Sequence, residues 1–124
     1  MERTIHIDGR DVPFRATAAI PRLYRIKFGR DIMQDMKAIQ KAVDKAEKGQ
    51  GPIPPKLLEV FENVAYLMAR HADQEMKERT VEDWLDGFDT FSIYSVFPEL
   101  MELWRANNQT LVESKKKHAP STGR

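Results

Sequence analysis

The stretch Pro21-Arg22-Leu23-Tyr24-Arg25-Ile26-Lys27-Phe28-Gly29-Arg30-Asp31 decides how the rest of the chain is read. Ile20, Leu23, Tyr24 and Phe28 recur at helical spacing on one side, while Arg22, Arg25 and Lys27 take the other. Pro21 falls in the first turn, where its missing N–H removes no helical bond. Thr17 is placed to cap the helix from upstream. Gly29 suits a left-handed C-terminal cap, and Asp31 can cap or charge the start of a second helix. The stretch therefore predicts a short helix, a glycine stop and an immediate restart. Strand-like sequence lies before it, and helical sequence after it.

Upstream, Ile5 and Ile7 alternate with His6 and Asp8, and Val12 and Phe14 alternate with Asp11 and Pro13. Asp8-Gly9 between these runs is a strong hairpin signal, since both central positions of such a turn need positive φ. The turn sets Ile7 opposite Arg10, Ile5 opposite Val12 and Arg3 opposite Phe14, so Ile5, Ile7, Val12 and Phe14 share one face. A lone hairpin is marginal in water, and that face must be covered. Pro13 has no N–H, which makes its strand an edge at that point.

Downstream, Ile32, Met36, Ile39 and Val43 form a narrow apolar stripe on a charged second helix reaching about Lys48. Gly49 to Pro55 is a loop by its glycines and prolines. Pro54 and Pro55 then lead a third helix. Leu57, Leu58, Phe61, Val64, Ala65, Met68 and Ala72, widened by Val60 and Leu67, give this helix the broadest apolar arc, so it is the expected core helix. Thr80-Val81-Glu82-Asp83 resembles a capping box before a short fourth helix through Trp84 and Leu85. Phe88, Phe91, Ile93, Tyr94, Phe97, Leu100, Met101, Leu103 and Trp104 form an aromatic helical segment that Pro98 must kink or split. Asn107-Asn108 marks its expected end, with at most a further turn to Val112. Residues 114–124 offer almost nothing to bury and are expected to be a disordered basic tail. The prediction is a mainly α protein: a bundle of about five helices in one domain, residues 1–113, opened by a hairpin over residues 1–16.

With 124 residues, 41% of them hydrophobic and 31% charged, the composition fits a globular protein with one core. There is no cysteine, which excludes disulfides and thiolate metal sites. No apolar run approaches the roughly 20 residues of a membrane span, and the first residues carry no apolar signal segment; the expected location is the cytoplasm. The net charge of +1 is uneven. The last ten residues hold three lysines, one arginine and no acid, and without them the 20 basic residues fall to 16 against 19 acidic ones.

Signals for catalysis are weak. His6, His71 and His118 are scattered. His71 and Glu75 are four apart, but a closed zinc site needs about four ligands and nothing supplies the rest. The alternative is a partly positive imidazole near a helix C-terminus. Gly49-Gln50-Gly51 leads into Pro-Ile-Pro-Pro rather than a phosphate-binding helix start. Glu82, Asp83 and Asp86 could form a catalytic carboxylate pair, but acids in the first turn of a helix usually answer its dipole, which is the favoured reading. Arg22, Arg25, Lys27 and Arg30 make a basic strip that could meet nucleic-acid phosphates, although Asp31 and Asp35 follow closely and favour a solvated, ion-paired face. No cofactor, metal or catalytic residue is expected. The aromatic segment is dense for a small core, and core packing is the expected role of about half of its rings. Because Trp, Tyr and Phe dominate interface anchors, Phe91, Tyr94, Phe97, Met101 and Trp104 are the candidate partner-binding or self-association face.

Several motifs, in order, resemble the tail assembly chaperones of long-tailed bacteriophages and prophages of the Gram-positive type. They are the Ile-x-Ile-Asp-Gly hairpin at Ile5 to Gly9, the Ala-Thr-rich lead-in Ala16-Thr17-Ala18, and the core Tyr24-Arg25-Ile26-Lys27-Phe28-Gly29-Arg30-Asp31. Ala65-Tyr66-Leu67-Met68-Ala69, Trp84-Leu85-Asp86-Gly87-Phe88 and Leu103 to Asn107 follow. The resemblance covers most of residues 1–112. It implies a non-catalytic protein that binds the long helical tape measure protein, keeps it soluble and helps tail-tube protein polymerise round it. It further implies self-association and absence from the finished virion. Tyr24, Arg25, Phe28, Gly29, Arg30 and Asp31 carry over as a structural signature. The competing reading is a small helical nucleic-acid-binding regulator using the basic strip and the lysine tail. Exposed apolar surface that accepts an amphipathic helix would suit the first reading.

Overall fold

The computed structural model describes residues 1–118, with side chains described as far as Asn108. Two strands, β1 (Glu2–Ile7) and β2 (Arg10–Arg15), pair antiparallel with Ile7 opposite Arg10, Ile5 opposite Val12 and Arg3 opposite Phe14. Asp8 (φ 52°) and Gly9 (φ 77°) both take the left-handed backbone that the tight turn requires. The fold is mainly α, with five helices after the hairpin among the described residues.

Helix α1 (Ile20–Phe28) ends at Gly29 (φ 67°, ψ 27°), whose N–H reaches back 2.8 Å to the Arg25 carbonyl. Thr17 does not cap it. Its Oγ1 accepts from Ala19 N (3.2 Å) and its carbonyl from Ile20 N (3.1 Å), so it shapes a turn just ahead of the helix. Asp31 is the cap of α2 (Ile32–Glu47), its carboxylate accepting from Met33 N at 2.9 Å.

Helix α3 (Pro55–Ala72) is the centre of the fold. Val64 to Ala69 are buried without interruption, which requires neighbours on every side. The hairpin, α1, α2, α4 (Val81–Leu85) and α5 (Ile93–His118) all pack on it. Thr80 Oγ1 accepts from Asp83 N at 3.0 Å, the N-cap expected of α4. Tyr66 Oη (2.7 Å) and Arg70 Nη1 (3.0 Å) both donate to the Glu78 carbonyl, pinning the loop before α4 to α3.

The hairpin is fixed at both ends. The Met1 ammonium donates to the Ala16 carbonyl (3.0 Å) and Ala16 N to the Met1 carbonyl (2.9 Å). Asp8 at the turn accepts from Asp89 N at 2.8 Å. Arg3, on the apolar face, reaches Glu99 (3.3 Å) and Glu102 (2.8 Å) of α5. Ile5 and Phe14 are fully buried beneath.

One of the two alternatives left open for α5 is realised, and its expected end is corrected. It is a single helix with Pro98 inside it; the lost N–H donor would have bonded the carbonyl of Tyr94, an exposed residue, a local loss that does not divide the helix. Nor does it stop near Asn107-Asn108 or Val112. It continues through residues 114–118, expected as disordered tail, and crosses the predicted boundary after residue 113. From Ala106 to His118 there is no Gly or Pro to end it. The rest of the predicted tail lies outside the described residues.

Candidate partner-binding site

The motif from Tyr24 to Asp31 builds a corner, and its keystone is a residue four positions beyond it. Tyr24 is fully buried on α1 and its hydroxyl donates to Asp35 Oδ2 on α2 at 2.6 Å. Arg30 closes the same carboxylate from the other side, Nε to Oδ2 at 2.8 Å and Nη2 to Oδ1 at 2.9 Å. This is a bidentate, charge-assisted pair. Burial alone would raise the Asp35 carboxyl, but the hydrogen bonds from Arg30 and Tyr24 and the Arg30 charge outweigh it and hold the group below the usual carboxylate range. Burial and the bond to Asp35 push the Tyr24 hydroxyl well above its ordinary value, so it stays a donor. Phe28 stacks on Tyr24 with centroids 5.1 Å apart. Sequence reasoning named Asp35 only as a nearby acid. A readable signal was Tyr24 itself, because an inward-facing tyrosine needs a hydrogen-bond partner.

The basic strip is thereby dispersed. Arg30 is committed to Asp35, and Lys27 Nζ lies 5.8 Å from the ring centroids of both Phe28 and Tyr66. Arg22 and Arg25 remain exposed. His71 lies in the last turn of α3, at the helix C-terminus expected for it. Its Nε2 is 3.0 Å from Thr17 Oγ1, and burial, reinforced by the charges of Arg15 and the N-terminal ammonium, lowers its pKa and favours the neutral ring. Among the described residues no group of three or more His, Asp or Glu side chains converges to hold a metal ion. Nor, among them, is any helix long and apolar enough to cross a membrane.

The five aromatic-segment candidates do not form one surface. Phe97 is core, 6.2 Å from Phe61 in an edge-on contact. Phe91 is half-buried in a stack with Trp84 (5.2 Å) and Phe61 (5.4 Å). Trp84 is the hub of that stack, touching Phe14, Tyr66 and Phe88 as well. Tyr94 stands apart at 49% exposed. The physical reason is the position of the buried arc of α5. It is centred on Ile93, Val96, Leu100 and Leu103, all buried, which puts Phe97 inside it and Tyr94 at its margin.

Met101 and Trp104 do meet a surface feature. α2 and α5 both pack on α3, and between them runs an open groove of about 720 Å³. Its apolar lining is Met33 and Met36 from α2 with Met101 and Trp104 from α5. Met33 is 45% exposed; Met101 and Trp104 present only edges, and Met36 is buried beneath them. Lys37, Lys41 and Arg105 lie on the rim, and Asp44, also there, is engaged by Gln40 at 2.9 Å. Sequence reading placed Met36 in the buried stripe of α2 and did not single out Met33. A helical wheel cannot reveal a groove whose second wall lies some seventy residues further along the chain.

A second apolar depression, about 440 Å³, lies between α1 and α3, with Leu23, Ile26 and Leu67 in its lining. Leu23 was expected to face inward with Tyr24. It sits at the edge of the buried face, and Ile26 beside it is 70% exposed. No protein-family model, curated protein or solved structure matches the chain.

Proposed function

We propose that this chain is a phage tail assembly chaperone, a non-catalytic holdase for the tape measure protein. The observation that carries the reading is the methionine-lined groove between α2 and α5. Methionine is unbranched and polarisable and adapts to varied apolar partners. An open apolar channel between two helices is the surface that receives an amphipathic helix. The ordered motifs from Ile5 to Asn107 are what supports the family reading. On this reading the protein works in the host cytoplasm, associates with tail-tube protein and with copies of itself, and is absent from the virion. It needs no cofactor.

The test is co-expression with the tape measure protein encoded in the same gene cluster. A soluble, co-purifying complex is expected. A tape measure protein that stays insoluble, with nothing co-purifying, overturns the proposal. The competing regulator reading draws less support, because Arg30 is withdrawn from the basic strip by Asp35. It would show itself as DNA affinity that falls steeply with salt.

A further inference from the structure

We infer that the α2–α5 groove selects an amphipathic helix whose apolar stripe is flanked by acidic residues. This deepens the proposed function and rests on it only for which protein supplies that helix. The groove has an apolar floor and a rim of one dominant sign. Lys37 and Lys41 are one turn apart on α2, and Arg105 faces them from α5. None of the three has an ion-pair partner among the described residues. Asp44, the one acid on the rim, already accepts from Gln40. Like-charge juxtaposition across an interface is costly, and opposite charge fixes register and orientation. A helix seated on Met33, Met101 and Trp104 would bring its flanking residues against three cations that have no ion-pair partner among the described residues.

Among the described residues, the acids that flank apolar stripes are already placed in the fold: Glu59 and Glu62 lie on the core helix α3. The ten residues from Lys115 carry four cations and no acid, so the rim repels them. Glu99 and Glu102 on α5 are held by Arg3, and Glu82 and Asp83 belong to the five-residue α4. The cationic rim points to an acidic-flanked helix of a different protein as the occupant.

The inference is tested by titrating the full chain with three labelled synthetic helical peptides. One has a leucine stripe flanked by glutamates, one has the same stripe flanked by lysines, and one is a scramble of the first. The glutamate peptide is expected to bind, and the other two to bind at least about tenfold more weakly. The double variant Lys37→Glu/Lys41→Glu, both positions being exposed, is expected to keep the wild-type melting temperature and to reverse the preference between the charged peptides. Equal binding of all three peptides, no binding of the glutamate peptide, or an unchanged preference in the double variant would overturn the inference. Self-association abolished by the double variant would assign the groove to a second copy, which also overturns it. Glutamate-peptide binding without capture of the tape measure protein would sink the proposed function alone. Capture unaffected by the charge reversal would sink this inference alone.

Discussion

Tyr24 on α1 donates a 2.6 Å hydrogen bond to Asp35 on α2, and Arg30 grips the same carboxylate through two more bonds. Gly29 makes this possible by reversing the chain between the two helices in left-handed conformation. The corner orients α2 on α3 and so sets one wall of the groove. Removing Asp35 leaves a buried hydroxyl and a guanidinium without their acceptor. Asp35→Ala should therefore cost about 3 kcal/mol, at the lower end for breaking a buried pair because Arg30 is partly exposed. Denaturant unfolding of the variant against wild type checks this, and an unchanged midpoint would remove the corner from the account of stability.

The same network predicts both limbs of the pH–stability curve. The folded-state pKa of Asp35 is depressed, so its contribution is present above the ordinary carboxylate value of about 3.9 and is lost as pH falls through the lower folded value. The Tyr24 pKa is raised, so its contribution is present below about 10 and is lost as pH rises above that. Unfolding midpoints measured across pH should show Asp35→Asn with a flatter acid limb and Tyr24→Phe with a flatter alkaline limb. Limbs identical to wild type would contradict this assignment.

Gly29→Ala isolates the reversal itself. An added Cβ meets nothing within 4 Å, so the cost is conformational, about 1 kcal/mol for a side chain held at φ 67°. A thermal melt reads it directly. A stabilised variant would show that the left-handed cap is not required.

Phe97 and Tyr94 separate core from surface within one helix. Phe97→Ala should destabilise by about 3–5 kcal/mol, as expected for an aromatic removed from a packed core. Tyr94→Ala should fall within about 0.5 kcal/mol of wild type. Comparable losses from the two substitutions would contradict the packing of α5.

Local chemistry made much of the fold legible. Asp8-Gly9 dictated the hairpin register, Gly29-Arg30-Asp31 the break between α1 and α2, and Thr80 the start of α4. What the sequence did not reveal depends on pairs distant in the chain. The aromatic crowding from Trp84 to Phe97 reads as surplus until Phe14 from the hairpin and Phe61 and Tyr66 from α3 are seen to pack against it. The groove needs both Met33 and Trp104, whose separation in sequence hides their nearness. Asn107-Asn108 is a weak stop signal, and the continuation of α5 past Val112 follows from the lack of Gly or Pro before Pro120.

The central claim is that the α2–α5 groove holds the tape measure protein. Its most direct test is co-expression of that protein with the wild-type chain and with Met33→Glu, which places a charge on the groove's exposed methionine without touching the core. The account predicts soluble tape measure protein co-purifying with wild type and a large loss of both solubility and co-purification with a folded Met33→Glu chain. Equal capture by the two chains would contradict it.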